Sequence, residues 1–422
     1  MSELPDAEND CLTDPPRVDA YARLAQAQER AGQLESALQT YLTATLLQAA
    51  KLAPQDASAW LNLGLAFHRN HAEPRALSAF RAALACYPAM AEAWNNLGGL
   101  SPPDIALPAH RRAVQLAPQR ADFHNNLAHA LLGLGHFAEG FREWEWRTPS
   151  PPRDFAEPRW RGEALAGQTL LIHAEQGYGD SLQFARYVPL AAARGGRIIV
   201  ETRDPLKGLL GRLEGVAATT RWNATLPPFD CHIALPSLAS LFPMPDSAMA
   251  YLRADPERIS LWRDRLATQV GKTSSPRIGL VWSGNPRSVD PRRAIPFAAI
   301  AQLAANHPGY RFFGLQREFG DDDVGFPQLG GAISDFDDLA AAMSLLDLVI
   351  SVDTAAAHLA GGLGLPVWVL LHSAADWRWW GHDPDRTVWY PTARLFRQQQ
   401  AGDWPEVIGR VGKALRALYS SR

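Results

Sequence analysis

Three short stretches of the chain combine residue types that can do chemistry. In Glu175-Gln176-Gly177-Tyr178-Gly179-Asp180-Ser181 an acid follows two glycines, after the apolar run TLLIHAE and before a helical pattern. Asp180 has two available roles. It could cap the helix by accepting the free N–H groups of the first turn, or act as a general base that takes a proton from an attacking hydroxyl. Gly177 and Gly179 would let backbone and acceptor approach closely, which puts Gln176, Gly177 and Gly179 on the acceptor side. His173 and Glu175 are the next nearest bases in sequence. A dinucleotide fingerprint is excluded, because the third glycine it needs at position 182 is Leu182.

The second stretch is Asp353-Thr354-Ala355-Ala356-Ala357-His358, where the run LDLVISV ends and a helix of small residues begins. The free N–H groups and positive dipole end of such a helix suit a diphosphate. The alanines have no bulk to block its approach, and His358 lies one turn after Thr354 on the same face. The structural alternative is that Asp353 caps the helix, the alanines pack on a sheet and His358 is a satisfied interior histidine. The third stretch is VWSGNPRSVDPRRAIPF, 281–297, in which Ser283-Gly284-Asn285-Pro286 reads as a turn. Arg287, Arg292 and Arg293 follow, placed to clamp a diphosphate opposite a helix N-terminus, or simply solvated. The candidate set for a diphosphate-bearing ligand is Asn285, Arg292, Arg293, Asp353, Thr354, Ala355, Ala356 and His358, joined by Gln316 at the end of YRFFGLQ.

Other features test differently. Asp321-Asp322-Asp323 contains an Asp-x-Asp spacing but reads as a solvated turn. No His-Glu-x-x-His and no Cys/His cluster is present, so no metal is expected. No G-x-S-x-G elbow supports hydrolysis by a serine triad. DWRWWGHD, 376–383, is either a domain-closing core patch or an aromatic lining for a sugar or base.

These stretches need elements to hold them. TLLIHAE, GRIIVET, RIGLVWSG, YRFFGLQ, LDLVISV and PVWVLLH are short apolar runs, with helical stretches at 180–194, 297–307, 337–345 and 354–363 between them. Strands alternating with helices imply parallel sheets covered on both faces. With a polar seam at 265–279, the economical reading is two doubly wound domains, 169–272 and 273–422, the second with a terminal helix. Ligands in such sheets sit at the carboxyl ends of strands, which is where the three stretches fall.

The front third repeats. In residues 57–90, Trp60, Leu63, Gly64, Phe67, Ala76, Phe80, Ala83 and Pro88 fall at positions 4, 7, 8, 11, 20, 24, 27 and 32 of a 34-residue unit. This resembles the tetratricopeptide repeat. From residue 18 the pattern fits, but Pro54 arrives five residues late; from Ala91 about four residues are missing around SPPDIALPAH. About four repeats are expected over 17–147, with a concave groove for a protein or peptide. The proline-rich stretch within 148–168 reads as a linker wrapped over the next domain, and residues 1–16 as a disordered tail.

The 422 residues are too many for one core, and the net charge of −3 gives no case for nucleic-acid binding. Three widely spaced cysteines build no disulfide framework. The acidic N-terminus has no apolar core of a signal peptide, and no run reaches the length of a membrane span. A cytoplasmic protein is expected.

EQGYGDSLQFARYVP, GLVWSGNP, DLVISVDTAAAHLAGGLGLPVWVLL and DWRWW…WYPTARLFRQ…GDW together make the chain resemble a known group. It is similar to bacterial proteins that join tetratricopeptide repeats to a glycosyltransferase family 9 (heptosyltransferase-like) domain, over about 18 to 418. The resemblance implies an α-solenoid followed by a GT-B fold of two Rossmann-like domains. The second would bind a nucleotide-sugar donor and the first an acceptor, with no metal or cofactor. It implies Asp180 as the base, with Asp353, Thr354 and His358 against the donor phosphates. Some relatives glycosylate flagellin, so a flagellin-like protein in the repeat groove is one implied acceptor. Three positions depart from the group: Ser288 where a histidine is usual, Ala294 where a polar residue is usual, and no match for a phosphate-contacting lysine, for which Arg292 or Arg293 would have to stand in. The alternatives are a repeat scaffold carrying a degenerate transferase, or a transferase acting on a cell-surface saccharide.

Overall fold

The structure, a computed structural model, describes residues 4–11, 16–148, 153–244, 250–270, 275–284, 290–317, 325–380 and 383–420. Two compact units divide the chain: Met1–Leu131 with Arg142–Arg147, and Leu132–Phe141 with Thr148–Arg422.

The first unit is built from helical hairpins. Helix α1 (Leu4–Cys11) precedes α2 (Val18–Arg30) and α3 (Leu34–Leu52), α4 (Ala57–Arg69) and α5 (Glu73–Cys86), α6 (Ala91–Gly99) and α7 (Pro103–Leu116), and then α8 (Ala121–Gly133) and α9 (Phe137–Trp144), of which Leu132–Phe141 belong to the second unit. The repeat is visible in single contacts. The Trp60 indole donates to the Pro54 carbonyl, the Trp94 indole to Pro88, and His124 Nε2 meets Pro118 at 3.0 Å. Each ring occupies position 4 and reaches the proline six residues before it. Gly64 is required because a Cβ there would lie 2.5 Å from the Phe80 ring; Gly98 faces His110 in the same way. The late Pro54 is explained by α3, at 19 residues against 14 for α5. The missing residues shorten α6 to 9, against 13 for α4.

The acidic N-terminal stretch is a correction to the expected disordered tail. Leu4, Ala7 and Cys11 fall on one face of α1 and join the repeat core around Tyr21, Leu24 and Phe67. The acidic composition hides that i, i+3, i+7 spacing.

The second unit contains two parallel sheets. The first runs in the order β3-β2-β1-β4, from β1 (Thr169–His173), β2 (Arg197–Thr202), β3 (Val216–Arg221) and β4 (Cys231–Ala234). Helices α10 (Tyr178–Phe184) and α11 (Val188–Ala192) connect β1 to β2, α12 (Lys207–Gly211) connects β2 to β3, and α13 (Leu238–Leu241) follows β4. The expected helix 180–194 is thus two short helices joined by a 3-10 turn at Ala185–Tyr187. Helix α14 (Pro256–Val270) occupies the first part of the expected polar seam and packs on the second domain, where Arg258 bridges Asp335 and Asp338 at 2.8 Å each. The second sheet runs β6-β5-β7-β8-β9. Its elements are β5 (Arg277–Val281), α15 (Phe297–Ala305), β6 (Arg311–Gly314), α16 (Phe336–Met343), β7 (Leu348–Val352), α17 (Ala355–Gly362), β8 (Val367–Leu371), β9 (Ala393–Arg397) and α18 (Trp404–Ser420).

An α-solenoid of tetratricopeptide type followed by two Rossmann-like domains is the architecture expected. Strand order reverses between β1 and β4 in the first sheet and between β5 and β7 in the second. Such reversals open a crevice at the carboxyl ends of the strands. The stretches at 175–181, 281–297 and 353–358 follow β1, β5 and β7. The segment before β1 covers the first sheet: the Trp160 N–H donates to the His232 carbonyl, and its ring is buried.

Candidate functional site

Asp180 is not the cap of α10. Gly177 is the N-cap, and Asp180, the third helical residue, turns back so that its Oδ2 accepts the Gly177 N–H at 3.1 Å. Its Oδ1 accepts a hydrogen bond at 2.5 Å from Arg378 Nη2, on the second domain. The carboxylate thus bridges the two α/β domains.

Gly179 serves a close approach. A Cβ there would lie 2.9 Å from His358 Cδ2 and 3.8 Å from Ala355 Cα. The missing side chain lets α10 pack on α17. Gln176 is half-buried and Gly177 exposed beside it.

His358 lies in that seam, fully enclosed. Its Nδ1 meets the Tyr390 hydroxyl at 2.8 Å, and its ring stacks on Trp379 at 5.2 Å. Burial, with the Arg378 charge nearby, pushes its pKa down to about 3, so the imidazole is neutral. These are the surroundings of an interior histidine.

Thr354, not Asp353, is the N-cap of α17, and its hydroxyl lies 3.2 Å from Ser351 Oγ. Ala355 is half-buried and Ala356 buried behind it. Asp353 is buried, and burial raises its pKa; Arg293, with Nη1 3.3 Å from Oδ2, opposes that shift. The two arginines differ. Arg292 is exposed and folded back on Asp290, with Nε and Nη2 donating at 2.8 and 2.9 Å. Arg293 points to Asp353 and so to the start of α17. Gln316 Oε1 accepts the Ser283 N–H at 3.2 Å and ties the end of β6 to the loop after β5. Asn285, with Arg287, Ser288 and the Asp321–Asp323 run, lies outside the described residues.

Several site residues follow strands whose ends the sequence did not single out. His372 comes directly after β8; Arg397 and Gln398 close β9. Among the described residues, both His372 ring nitrogens, Arg293 Nε, Arg397 Nη1 and Gln398 Nε2 are buried without a hydrogen-bond partner. His372 Nε2 sits 3.3 Å from Asp290 Oδ2, at ion-pair distance but without hydrogen-bond geometry. Burial lowers the His372 pKa, against the pull of Asp290; Arg292, Arg293 and Arg397 add to the lowering, so these groups share one region. Burial also brings the Arg397 guanidinium down to about 10. Buried nitrogens are normally paired. An unmet cluster at the carboxyl ends of β8 and β9 asks for a ligand rich in acceptor oxygens. The rule that ligands sit at strand ends would have found these residues, had β9 been recognised in WYPTARLFRQ. Asp376-Trp377-Arg378-Trp379, read from the sequence as a core patch or an aromatic lining, has Trp377, Arg378 and Trp379 buried, and Arg378 reaches Asp180, a partner the sequence did not show.

Among the described residues no group of three or more His, Cys, Asp or Glu side chains is placed to hold a metal ion. No described helix is long and apolar enough to cross a membrane. Within the first unit, a cavity of about 400 Å³ is lined by His68, Asn95, Asn96, His110, Asn126 and His129, among others. Asn126 donates to Asn95 Oδ1 at 3.0 Å, and the same oxygen lies 3.2 Å from His110 Nδ1.

No family model matches the chain. It is similar to Protein FlbA of Caulobacter vibrioides (strain ATCC 19089 / CIP 103742 / CB 15), 27% identical over 454 residues that span 87% of this chain and 74% of that protein. Among solved structures it is similar to the glycosyl transferase family 9 structure from Veillonella parvula DSM 2008, at 11% identity and TM-score 0.45, covering 61% of this chain and 91% of the other. It is also similar to YrrB, a TPR protein with an unusual peptide-binding site, at 19% identity and TM-score 0.24, covering 33% of this chain and 72% of the other. Both TM-scores lie below 0.5, and the architecture described above stands on helix pairing and strand order in this chain.

Proposed function

We propose that the protein is a glycosyltransferase that moves a sugar from a nucleotide-sugar donor to an acceptor hydroxyl. The observation that carries this reading is the group of unmet nitrogens on His372, Arg293 and Arg397, which share one region, with Arg293 beside Asp353 just before α17 and a carboxylate held on the first domain. Guanidinium forks and helix N–H groups are the donors a diphosphate accepts. Arg293, beside Asp353 and Thr354, is the arginine assigned to phosphate; Arg292 is held by Asp290.

The chemistry is a displacement at the anomeric carbon. The acceptor oxygen forms the new C–O bond, its proton goes to Asp180, and the bond to the diphosphate breaks. The nucleoside diphosphate leaves with the electron pair, its charge met by Arg293 and the α17 N–H groups, so no metal is needed in this scheme. The acceptor is a serine or threonine of a protein segment, because the repeat unit offers a polar cavity in which Asn95, Asn96 and Asn126 can pair with main-chain amides. Such a protein would work in the cytoplasm, where nucleotide sugars are made.

A panel of UDP-, GDP-, ADP- and CMP-linked sugars, tested by thermal shift with and without magnesium, gives the first check. A ligand at 100 times its Kd adds about 2.7 kcal/mol. A shift that is independent of magnesium and lost in Thr354→Glu supports the reading. A shift that requires magnesium, or survives Thr354→Glu, removes the donor site. Mass measurement of co-expressed candidate proteins then identifies the acceptor.

A further inference from the structure

Arg378 lies in the 3-10 turn Trp377–Trp379 after β8, and it is buried. All three guanidinium nitrogens are engaged. Nη2 donates to Asp180 Oδ1 at 2.5 Å, Nη1 to Asp376 Oδ1 at 2.8 Å and Nε to Gln183 Oε1 at 2.5 Å. Asp180 and Gln183 belong to α10 of the first domain; Asp376 belongs to the same turn as Arg378. The guanidinium also lies over the Trp377 ring at 4.3 Å and near Phe184 at 6.0 Å. Phe141, itself buried, meets both of those rings edge-on at 6.0 Å. Burial works against a charge here, and Asp376 and Asp180 outweigh it.

A planar fork held on three sides fixes direction as well as distance. The Gly177 N–H fixes the other carboxylate oxygen. Two donors, one from each domain, therefore set the plane of the Asp180 carboxylate. We propose that Arg378 is the positioning residue for Asp180: it aims the base from across the domain seam, so that proton transfer requires α10 to be docked on the Trp377–Trp379 turn of the second domain. This deepens the transferase reading and rests on it. The alternative role for Arg378 is a bridge that holds the domains together and does nothing for the carboxylate's aim.

The test uses the full chain and the same panel of nucleotide sugars, with water as acceptor, and measures release of the nucleotide. Arg378→Lys keeps the charge and loses the fork. Its kcat should fall about 10- to 100-fold, with KM for the donor within about threefold of wild type. Because Arg378 acts through Asp180, adding Arg378→Lys to Asp180→Asn should cost less than about twofold more. If the Arg378→Lys penalty instead carries over in full to the Asp180→Asn background, with a raised KM, Arg378 is only a bridge and the proposal fails. Should Arg378→Lys not fold, Gln183→Met removes one hold on the guanidinium. It should slow release in the wild-type background and not in Asp180→Asn; equal slowing in both overturns the proposal. The underlying reading fails separately. Asp180→Asn at the wild-type rate removes the base, and no release from any donor by the wild-type chain removes the transferase.

Discussion

At the carboxyl end of the first sheet, two carboxylates are held by arginines. Asp180 is held by Arg378, and Glu201, at the end of β2, pairs with Arg153. At the carboxyl end of the second sheet, beside the buried carboxylate of Asp353, His372, Arg293, Arg397 and Gln398 each carry a buried nitrogen without a hydrogen-bond partner. Both sheets are parallel and both reverse order beside the loops in question, so topology alone does not separate them. The side chains do. An end that presents a carboxylate suits a hydroxyl that must lose a proton, whereas an end that presents unmet donors suits a ligand that arrives with negative oxygens. In the proposed reaction, two copies of one fold divide the work between them.

The largest expected effect removes the acid from that comparison. Asp180→Asn preserves shape and can still accept from Gly177 N–H, but it cannot take the proton. Turnover should fall by about 10²–10⁴, the usual contribution of a positioned base. Rates measured at saturating donor check this, and an unchanged rate would leave Asp180 as a capping and bridging residue.

A smaller effect comes from the seam. Gly179→Ala would place a methyl group 2.9 Å from His358 Cδ2, a ring pinned by Tyr390 and Trp379. Overpacking of this kind costs about 1–3 kcal/mol. Urea unfolding should show that loss in the α/β transition and leave the repeat transition unmoved. Stability equal to wild type would mean that α10 and α17 separate readily.

The smallest effect per step compares the two units through their buried histidines. Burial lowers the pKa of His110 in the repeats to about 4 and of His358 to about 3, both from 6.5. Below about pH 6.5 the unfolded chain binds protons that the folded chain refuses, so stability falls as pH falls. The loss approaches about 1.4 kcal/mol per pH unit for each histidine. It should level off near pH 4 for the repeats' histidine and continue toward pH 3 for the other. Unfolding midpoints between pH 7 and 5 check the slope, and His110→Gln should flatten it for the repeat transition alone. A slope that His110→Gln does not change would show that His110 is protonated in the folded state.

Much of the fold was legible because its signals are local. Tryptophan at position 4 and proline six residues before it are both written in the repeat, and even the irregular spacing near Pro54 corresponds to a longer α3. Strands β5 to β8 announced themselves as apolar runs. Strands β3 and β4 did not: VAATTR is only partly buried, and CHIA is four residues long. The site was legible only in part for a related reason. Loop ends that follow strong strands could be placed. The partner of Asp180 lies 198 residues away in the sequence, and no spacing rule connects them. The packing role of Gly179 was hidden because a glycine that admits a ligand and one that admits a neighbouring helix look alike until the helix is seen.

The division of labour between the sheets is tested most directly by the affinity of nucleoside diphosphates. UDP, GDP and ADP should be titrated calorimetrically into the wild-type chain, Asp180→Asn and Arg293→Ala, without metal. For the diphosphate that binds best, Arg293→Ala should weaken binding by about 10- to 100-fold, the value of a charge-assisted contact, and Asp180→Asn should leave the Kd unchanged. The reverse pattern, with Kd weakened by Asp180→Asn and untouched by Arg293→Ala, would contradict the account.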